Sequence, residues 1–166
     1  MRDELNFYIN GEWVESDSSE TIEVVNPANE EIIGHVTAGS KQDINSAVMA
    51  ANEAFKLFSQ TSKNERIAYL EAIIKEYENR YQDFVDTITL EMGAPTWLSN
   101  RAQASTGIKN FNETLDALKI YEFEKPEGDY LLRKEPIGVI GMITPWNWPM
   151  NQITTKVSAA IASGCS

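Results

Sequence analysis

The spacing of apolar residues changes twice along the chain, and each change marks a different kind of structure. Up to about residue 37 they come in short alternating runs broken by turn formers, the pattern of half-buried strands. Phe7-Tyr8-Ile9 and Glu12-Trp13-Val14 flank Asn10-Gly11, a hairpin turn whose two positions both want a positive φ. Thr21-Ile22-Glu23-Val24-Val25 alternates, Asn26-Pro27-Ala28-Asn29 interrupts, and Ile32-Ile33-Gly34-His35-Val36 resumes. From Ser40 to about Leu118 the period is helical. Ser40 with Asp43, and Ser62 with Glu65, are the serine-to-acid pairs that open helices. Ile44, Ala47, Val48, Ala51, Phe55 and Phe58 predict the buried face of a first helix, and Ile67, Leu70, Ile73, Ile74 and Tyr77 that of a second. Phe84, Val85 and Ile88 predict a third, stopped by Gly93-Ala94-Pro95. Leu98, Ala102, Ser105, Ile108, Phe111, Leu115 and Leu118 predict a fourth, long one.

Lys125-Pro126-Glu127-Gly128-Asp129 reads as a turn, followed by an extended segment over 130–135 that Pro136 halts. Residues 137–143, Ile-Gly-Val-Ile-Gly-Met-Ile, carry no charge and do not alternate, which predicts a strand buried on both faces of a parallel sheet. Thr144-Pro145-Trp146-Asn147-Trp148-Pro149 is a loop. Ile153, Val157, Ala160 and Ile161 then mark a helix expected to pack on that strand, with Gly164 as its left-handed terminator. A parallel strand followed by a helix is half of a βαβ unit, and the next strand belongs beside the first. The expectation is therefore an α/β fold in three parts: strands and helices over 1–125, a connecting turn and strand over 126–136, and the start of a parallel sheet over 137–166. It reads as the opening of a larger protein, interrupted inside its first βαβ unit.

Composition narrows the partners. Lys+Arg number 14 against 25 Asp+Glu, a net charge of −11, so a phosphate backbone or an anionic membrane surface is repelled. A hydrophobic share of 42% supports a packed core. The single cysteine, Cys165, excludes an intrachain disulfide framework, and the single histidine, His35, leaves no His/Cys metal cluster. The opening Met1-Arg2-Asp3-Glu4-Leu5-Asn6 carries acids where a secretory signal needs bases, and no apolar run spans a bilayer, so the cytoplasm is the expected compartment. Glu71, Glu76, Glu78 and Asp83 lie mainly off the apolar stripes and read as a solvated face.

The 144–149 loop is where chemistry is expected. It sits at the carboxyl end of the predicted parallel strand, where open α/β sheets bind ligands. Two prolines restrict its backbone, so a side chain between them is held in place. Asn147 offers a neutral amide donor, the kind of group that stabilises charge developing on a carbonyl oxygen. The same residues also read as a rigid turn with Trp146 and Trp148 as core filler.

Several motifs in order resemble those of the NAD(P)-dependent aldehyde dehydrogenase superfamily. They are Phe7-Tyr8-Ile9-Asn10-Gly11-Glu12-Trp13, Asn26-Pro27-Ala28-Asn29-Glu30-Glu31-Ile32-Ile33-Gly34, and Glu91-Met92-Gly93-Ala94-Pro95. The most specific runs from Pro136 through Ile143-Thr144-Pro145-Trp146-Asn147-Trp148-Pro149, followed by Lys156 and Ala162-Ser163-Gly164-Cys165. The likeness covers nearly the whole chain, while members of that family are much longer.

The resemblance implies an N-terminal portion of the fold, ending in the first strand and helix of a Rossmann-like sheet. It implies that Asn147 stabilises the oxyanion, that Ile143, Thr144, Pro145 and Trp146 line the dinucleotide site for NAD or NADP, and that Trp148 and Gln152 wall the substrate tunnel. The reaction implied is oxidation of an aldehyde to a carboxylic acid through a cysteine thiohemiacetal. The family's nucleophilic cysteine, general-base glutamate and Gly-rich turn have no counterpart here, and Cys165 falls at a structural position rather than at the nucleophile's. Lys156 matches a lysine near the family's active site, and on a helix it reads equally as solvated. The segment over 130–135 resembles part of an oligomerisation arm, so a homo-oligomer, or a companion C-terminal fragment, is the implied partner. The alternative is a non-catalytic product: an interaction module, a truncated chain or one half of a split gene.

Overall fold

The computed structural model describes residues 3–166, so Met1 and Arg2 of the acidic opening lie outside the described residues. Strands β1 (Asn6–Ile9) and β2 (Glu12–Glu15) form an antiparallel hairpin. Asn10 and Gly11 turn it at φ 55° and 83°, the left-handed pair that such a turn demands. Strands β3 (Thr21–Asn26) and β4 (Glu31–Thr37) form a second antiparallel pair, with an irregularity between Val24 and Val25.

Helices α1 (Lys41–Phe58) and α2 (Lys63–Asn79) both open on the expected capping boxes, Ser40 with Asp43 and Ser62 with Glu65. Helix α3 (Tyr81–Met92) ends at Gly93 with φ 68°. A side chain could not replace that glycine, because a Cβ there would lie 2.7 Å from Cγ of Pro27. Helix α1 departs from its expectation. None of its residues is buried, and Ile44 and Val48 of the predicted stripe face solvent.

The predicted fourth helix is three pieces: a short α4 (Thr96–Leu98), a π-helical turn over Ser99–Ala104, and α5 (Ser105–Ile120). A π turn takes one more residue than an α turn, so it rotates the buried face. Ser99, Gln103 and Ala104 are buried where Leu98, Ala102 and Ser105 were expected. Past the turn the expectation is met again at Phe111, Leu115 and Leu118.

Hydroxyl groups accept this geometry by taking up its carbonyls. Tyr77 Oη donates to Ala104 O at 2.8 Å, and the Tyr81 hydroxyl donates to Asn100 O. Ser105 Oγ donates to Arg101 O at 2.9 Å, and Thr106 Oγ1 to Ala102 O at 2.7 Å. Burial, with Tyr81 beside it, holds the Tyr77 phenol well above its ordinary pKa, so it stays a donor.

Strands β5 (Glu124–Glu127) and β6 (Tyr130–Arg133) form a third antiparallel hairpin, turning at Gly128 with φ 65°. The expected turn over 125–129 thus narrows to Gly128-Asp129, and Pro126 lies in a strand of a two-stranded edge, where a missing N–H is tolerated. Helix α6 (Pro149–Ser163) closes the chain and ends on Gly164 with φ 82°. It packs on α5 and α2. Thr154 and Ser158 are its fully buried residues, while Ile153 of the expected stripe is 42% exposed. The α5 face explains this choice. Asn110 Nδ2 donates to Thr154 Oγ1 at 2.9 Å, and Thr114 and Ser158 share a 2.8 Å hydroxyl bond, a polar seam inside an otherwise apolar contact.

Residues 137–143 do not form the predicted doubly buried strand. Ile137 is 86% and Ile143 91% exposed. A strand needs a neighbour for its backbone groups, and among the described residues Ser166 alone gives this one backbone-to-backbone bonds. Ser166 N–H donates to Gly138 O at 3.2 Å, and Ile140 N–H donates to Ser166 O at 2.7 Å. These two bonds straddle Val139, which is one rung of a parallel ladder.

The core has two parts. Leu70, Ile74, Tyr77, Phe111, Leu115 and Leu118 join α2 to α5, with Val157, Ile161 and Ala162 of α6 against them. Val85, Ile88, Ala94 and Ala104 join α3 to the π turn. Met150 packs against both, so the start of α6 is anchored where the two clusters meet. Among the described residues no helix is long and apolar enough to cross a membrane.

Candidate active site

The 144–149 loop enters α6 without a side-chain cap. Trp148 has φ −140° and ψ 68°, and Pro149 occupies the first helical turn, where its missing N–H costs nothing. Residues 143–147 are exposed, and Trp148, Pro149 and Met150 are half-buried. The loop is therefore tethered at its helix side and open at the other. Trp146 is 82% exposed and fills no core, whereas Trp148 is partly enclosed.

Asn147 stands on the open part. Its side-chain amide makes no hydrogen bond among the described residues, and it is exposed. Its backbone is held from beneath: Gln103 Nε2, on the π turn, donates to Asn147 O at 3.4 Å. One helical turn further along, Asn151 is gripped by Asn110 Nδ2 through its Oδ1 at 3.1 Å. Two amides seven residues apart on the π turn and α5 thus hold the entry to α6 at two points.

Gln152 and Lys156 lie on successive turns of α6, and Lys156 Nζ donates to Gln152 Oε1 and to Gln152 O, both at 3.1 Å. The lysine is thereby committed to Gln152 rather than loose in solvent. Ile143 and Lys156 both line a groove of about 700 Å³ between residues 135–143 and α6, with Met142, Ala159 and Ser163 as further wall. Small side chains on the helix leave it broad and mostly apolar, with Lys156 and Glu135 as its charged groups. The structure thus brings Ile143 and Lys156 to one groove, and leaves Thr144, Pro145, Trp146 and Asn147 exposed in the loop that follows it.

Cys165 is 6% exposed and follows the C-terminus of α6. Burial pushes its thiol up, but the Ser163 hydroxyl, the backbone at Ile137 and Gly138, and the charge of Arg66 outweigh burial and leave the net shift downward. Arg66 is the cation the sequence did not place there. It is 7% exposed and donates to Thr61 Oγ1 at 3.1 Å, Thr61 O at 2.7 Å and Ala162 O at 3.3 Å, with Phe123 beneath its guanidinium. A cation at the carbonyl end of α6 is favourably placed against the helix dipole. The reading missed Gln103 and Arg66 because both act through partners far away in sequence. Among the described residues no group of three or more His, Cys, Asp or Glu side chains could hold a metal ion. His35, paired with Asp3 at 3.0 Å on the β3–β4 sheet, takes no part in the loop or groove.

Known proteins resemble this chain over nearly its whole length. The model of the aldehyde dehydrogenase family matches residues 13–166. Curated relatives from Staphylococcus aureus are 55% and 54% identical over 164 residues, 99% of this chain and 34% of their own length. An aldehyde dehydrogenase from Bartonella henselae superposes with a TM-score of 0.97 at 39% identity, covering 100% of this chain and 36% of that one. A mutant aldehyde dehydrogenase C from Pseudomonas syringae, solved with NAD+ and octanal, superposes at 0.95 with 41% identity, covering 97% of this chain and 33% of that one. A Mycobacterium tuberculosis aldehyde dehydrogenase complexed with NAD+ gives 0.93 at 28% identity, with 99% and 35% covered. The chain spans about a third of the length of the curated relatives it matches.

Proposed function

This chain belongs to the aldehyde dehydrogenase family, and we propose that it contributes the oxyanion donor and one wall of the cofactor groove to an NAD(P)-dependent oxidation of an aldehyde to a carboxylic acid. The observation that carries the reading is Asn147: an exposed amide with no bond of its own, on a loop tied down through its backbone. A free amide N–H on a fixed backbone is what a developing alkoxide needs.

The residues present fit one side of a dinucleotide. Ile143 and Trp146 offer apolar surface on which a flat ring can rest, and Lys156 brings a positive charge to a groove whose helix wall is Ala159 and Ser163. Thr144 and Pro145 continue that surface toward Asn147. NAD or NADP, when bound, supplies the hydride acceptor. The chain's own residues do the rest of what falls to them: Asn147 holds the carbonyl oxygen as charge gathers on it, and Trp148 and Gln152 shape the approach of the aldehyde, Gln152 being fixed by Lys156. The attacking thiolate comes from elsewhere, because Cys165 is 6% exposed and its sulfur is already held by the Ser163 hydroxyl and the backbone at Ile137 and Gly138. The exposed β6 side chains Tyr130, Leu131 and Leu132 offer the surface for a homo-oligomer. We place the reaction in the cytoplasm, in keeping with the lone thiol.

The test is reconstitution. The 166-residue chain alone, given NAD+ and a panel of aldehydes, should form no NADH. Supplied with the C-terminal two-thirds of the Staphylococcus aureus relative, it should turn over. Asn147→Ala should then lower kcat by about 10²–10³-fold, which is about 2.7–4 kcal/mol for one oxyanion donor. Undiminished kcat in Asn147→Ala, or turnover by the chain alone that Cys165→Ser abolishes, would overturn the assignment.

A further inference from the structure

Gln103 is unusual in two respects that point the same way. It is 2% exposed, and its Oε1 is buried with no hydrogen-bond partner. The orientation of the amide is not arbitrary. Asn147 O can only accept, so the NH2 end must face it, and the oxygen is the end left without a partner. Folded proteins leave few side-chain atoms in that state, and one that persists usually does so for a reason other than stability.

Its position is unusual as well. Gln103 faces inward only because the π turn over Ser99–Ala104 rotates the helix, and Ala102 would otherwise take the place. Single π turns inside helices occur often at functional sites. This one is braced from outside: the Tyr77 and Tyr81 hydroxyls from α2 and α3 occupy the carbonyls of Ala104 and Asn100. The braced turn directs one donor at one loop carbonyl, and that carbonyl belongs to the residue proposed as the oxyanion donor.

We propose that Gln103 is a positioning residue for Asn147, holding the loop so that the Asn147 side-chain amide faces the reacting carbonyl. The inference rests on the reading of Asn147 given above. At 3.4 Å the bond is long, so its effect is orientation more than strength. The bond restricts the peptide that carries Asn147, on a stretch where residues 143–147 are otherwise exposed. Small misplacements of a catalytic group carry large rate penalties.

Gln103→Met and Gln103→Glu separate this role from a structural one. Methionine keeps the length and removes both the donor and the orphaned oxygen. Its melting temperature should equal or exceed that of the parent chain, while the 15N order parameter of Asn147 falls from the rigid range to below about 0.6. Glutamate keeps the oxygen and, at a pH high enough to ionise it in this buried place, has no donor, so there it should loosen Asn147 similarly. In the reconstituted enzyme both should lower kcat about ten- to a hundredfold with KM within about twofold. A lower melting temperature in Gln103→Met with Asn147 still rigid would show Gln103 to be structural and overturn the proposal. A loosened Asn147 with unchanged kcat would leave the tether standing and overturn the oxyanion role of Asn147 instead.

Discussion

Gly107 on α5 makes the sharpest stability prediction, because its environment specifies both the size and the partner of the effect. A Cβ at this position would lie 2.2 Å from Oη of Tyr77, 2.6 Å from its Cζ and 2.8 Å from its Cε2. The ring cannot swing aside freely. It is 5% exposed, stacked on Phe84 with centroids 4.3 Å apart, and edge-on to Phe111 at 6.5 Å. Displacing it also withdraws the hydroxyl from the fully buried Ala104 carbonyl. Overpacking of this kind costs about 1–3 kcal/mol. An orphaned buried carbonyl costs a similar amount, and replacing glycine inside a helix returns about 1 kcal/mol. Gly107→Ala should therefore destabilise the chain by roughly 1–5 kcal/mol, read as a lower urea midpoint at unchanged slope. Tyr77→Phe in the same background should not rescue it, since Cζ remains in the way, whereas Tyr77→Leu should recover part of the loss. A Gly107→Ala chain as stable as the parent, or more so, would refute the packing argument.

Acid should weaken the start of α1. The Ser16 hydroxyl and the Ser40 backbone N–H hold the Asp43 carboxyl down from the usual 3.8 to about 2. A depressed carboxylate contributes its stabilisation above its unfolded pKa and loses it as the pH falls through the folded one, so helix content by circular dichroism should decline between about pH 4 and pH 2, and Asp43→Asn should flatten that decline. Arg66→Lys should destabilise the chain by about 1.5–3 kcal/mol in urea, because one ammonium cannot reach Thr61 and Ala162 together as the guanidinium does; an unchanged midpoint would show the fork to be dispensable. Ile143→Lys, in a residue 91% exposed, should change the midpoint by less than about 0.5 kcal/mol although its sequence context reads as core, and a larger loss would place Ile143 inside the fold.

Local signals were legible where the chain's own neighbours decide the outcome. The Asn10-Gly11 turn, the two capping boxes and the glycine stops at Gly93 and Gly164 all depend on backbone geometry within a few residues, and each stands where the pattern put it. The buried faces of α2 and of α5 beyond Gly107 were also legible, since those helices pack along one side at a constant period. The loop could be marked as a candidate for chemistry from its prolines and its lone amide. How that amide is held could not, because Gln103 lies 44 residues earlier.

Two of the misreadings share a physical origin. A hydrophobic pattern states that a segment will be covered, and not by what. Residues 137–143 have the composition of a central strand, yet with Ser166 alone pairing their backbone among the described residues they carry one rung of a ladder. Helix α1 has an apolar stripe that is covered only in part: Ala51, Phe55 and Phe58 are half-buried, while Ile44 and Val48 are exposed. The error over 98–105 is of a different kind and says more about function. Periodicity assumes a fixed angle per residue, and the π turn breaks that assumption once. Leu98, Ala102 and Ser105 satisfy an unbroken α-helix, so an uninterrupted helix would have packed alanine under the loop. Inserting the extra residue replaces that alanine with a glutamine and aims a hydrogen-bond donor at Asn147 O. The fold departs from its simplest period at the turn that touches the candidate catalytic loop, and four hydroxyl groups are spent on keeping it there.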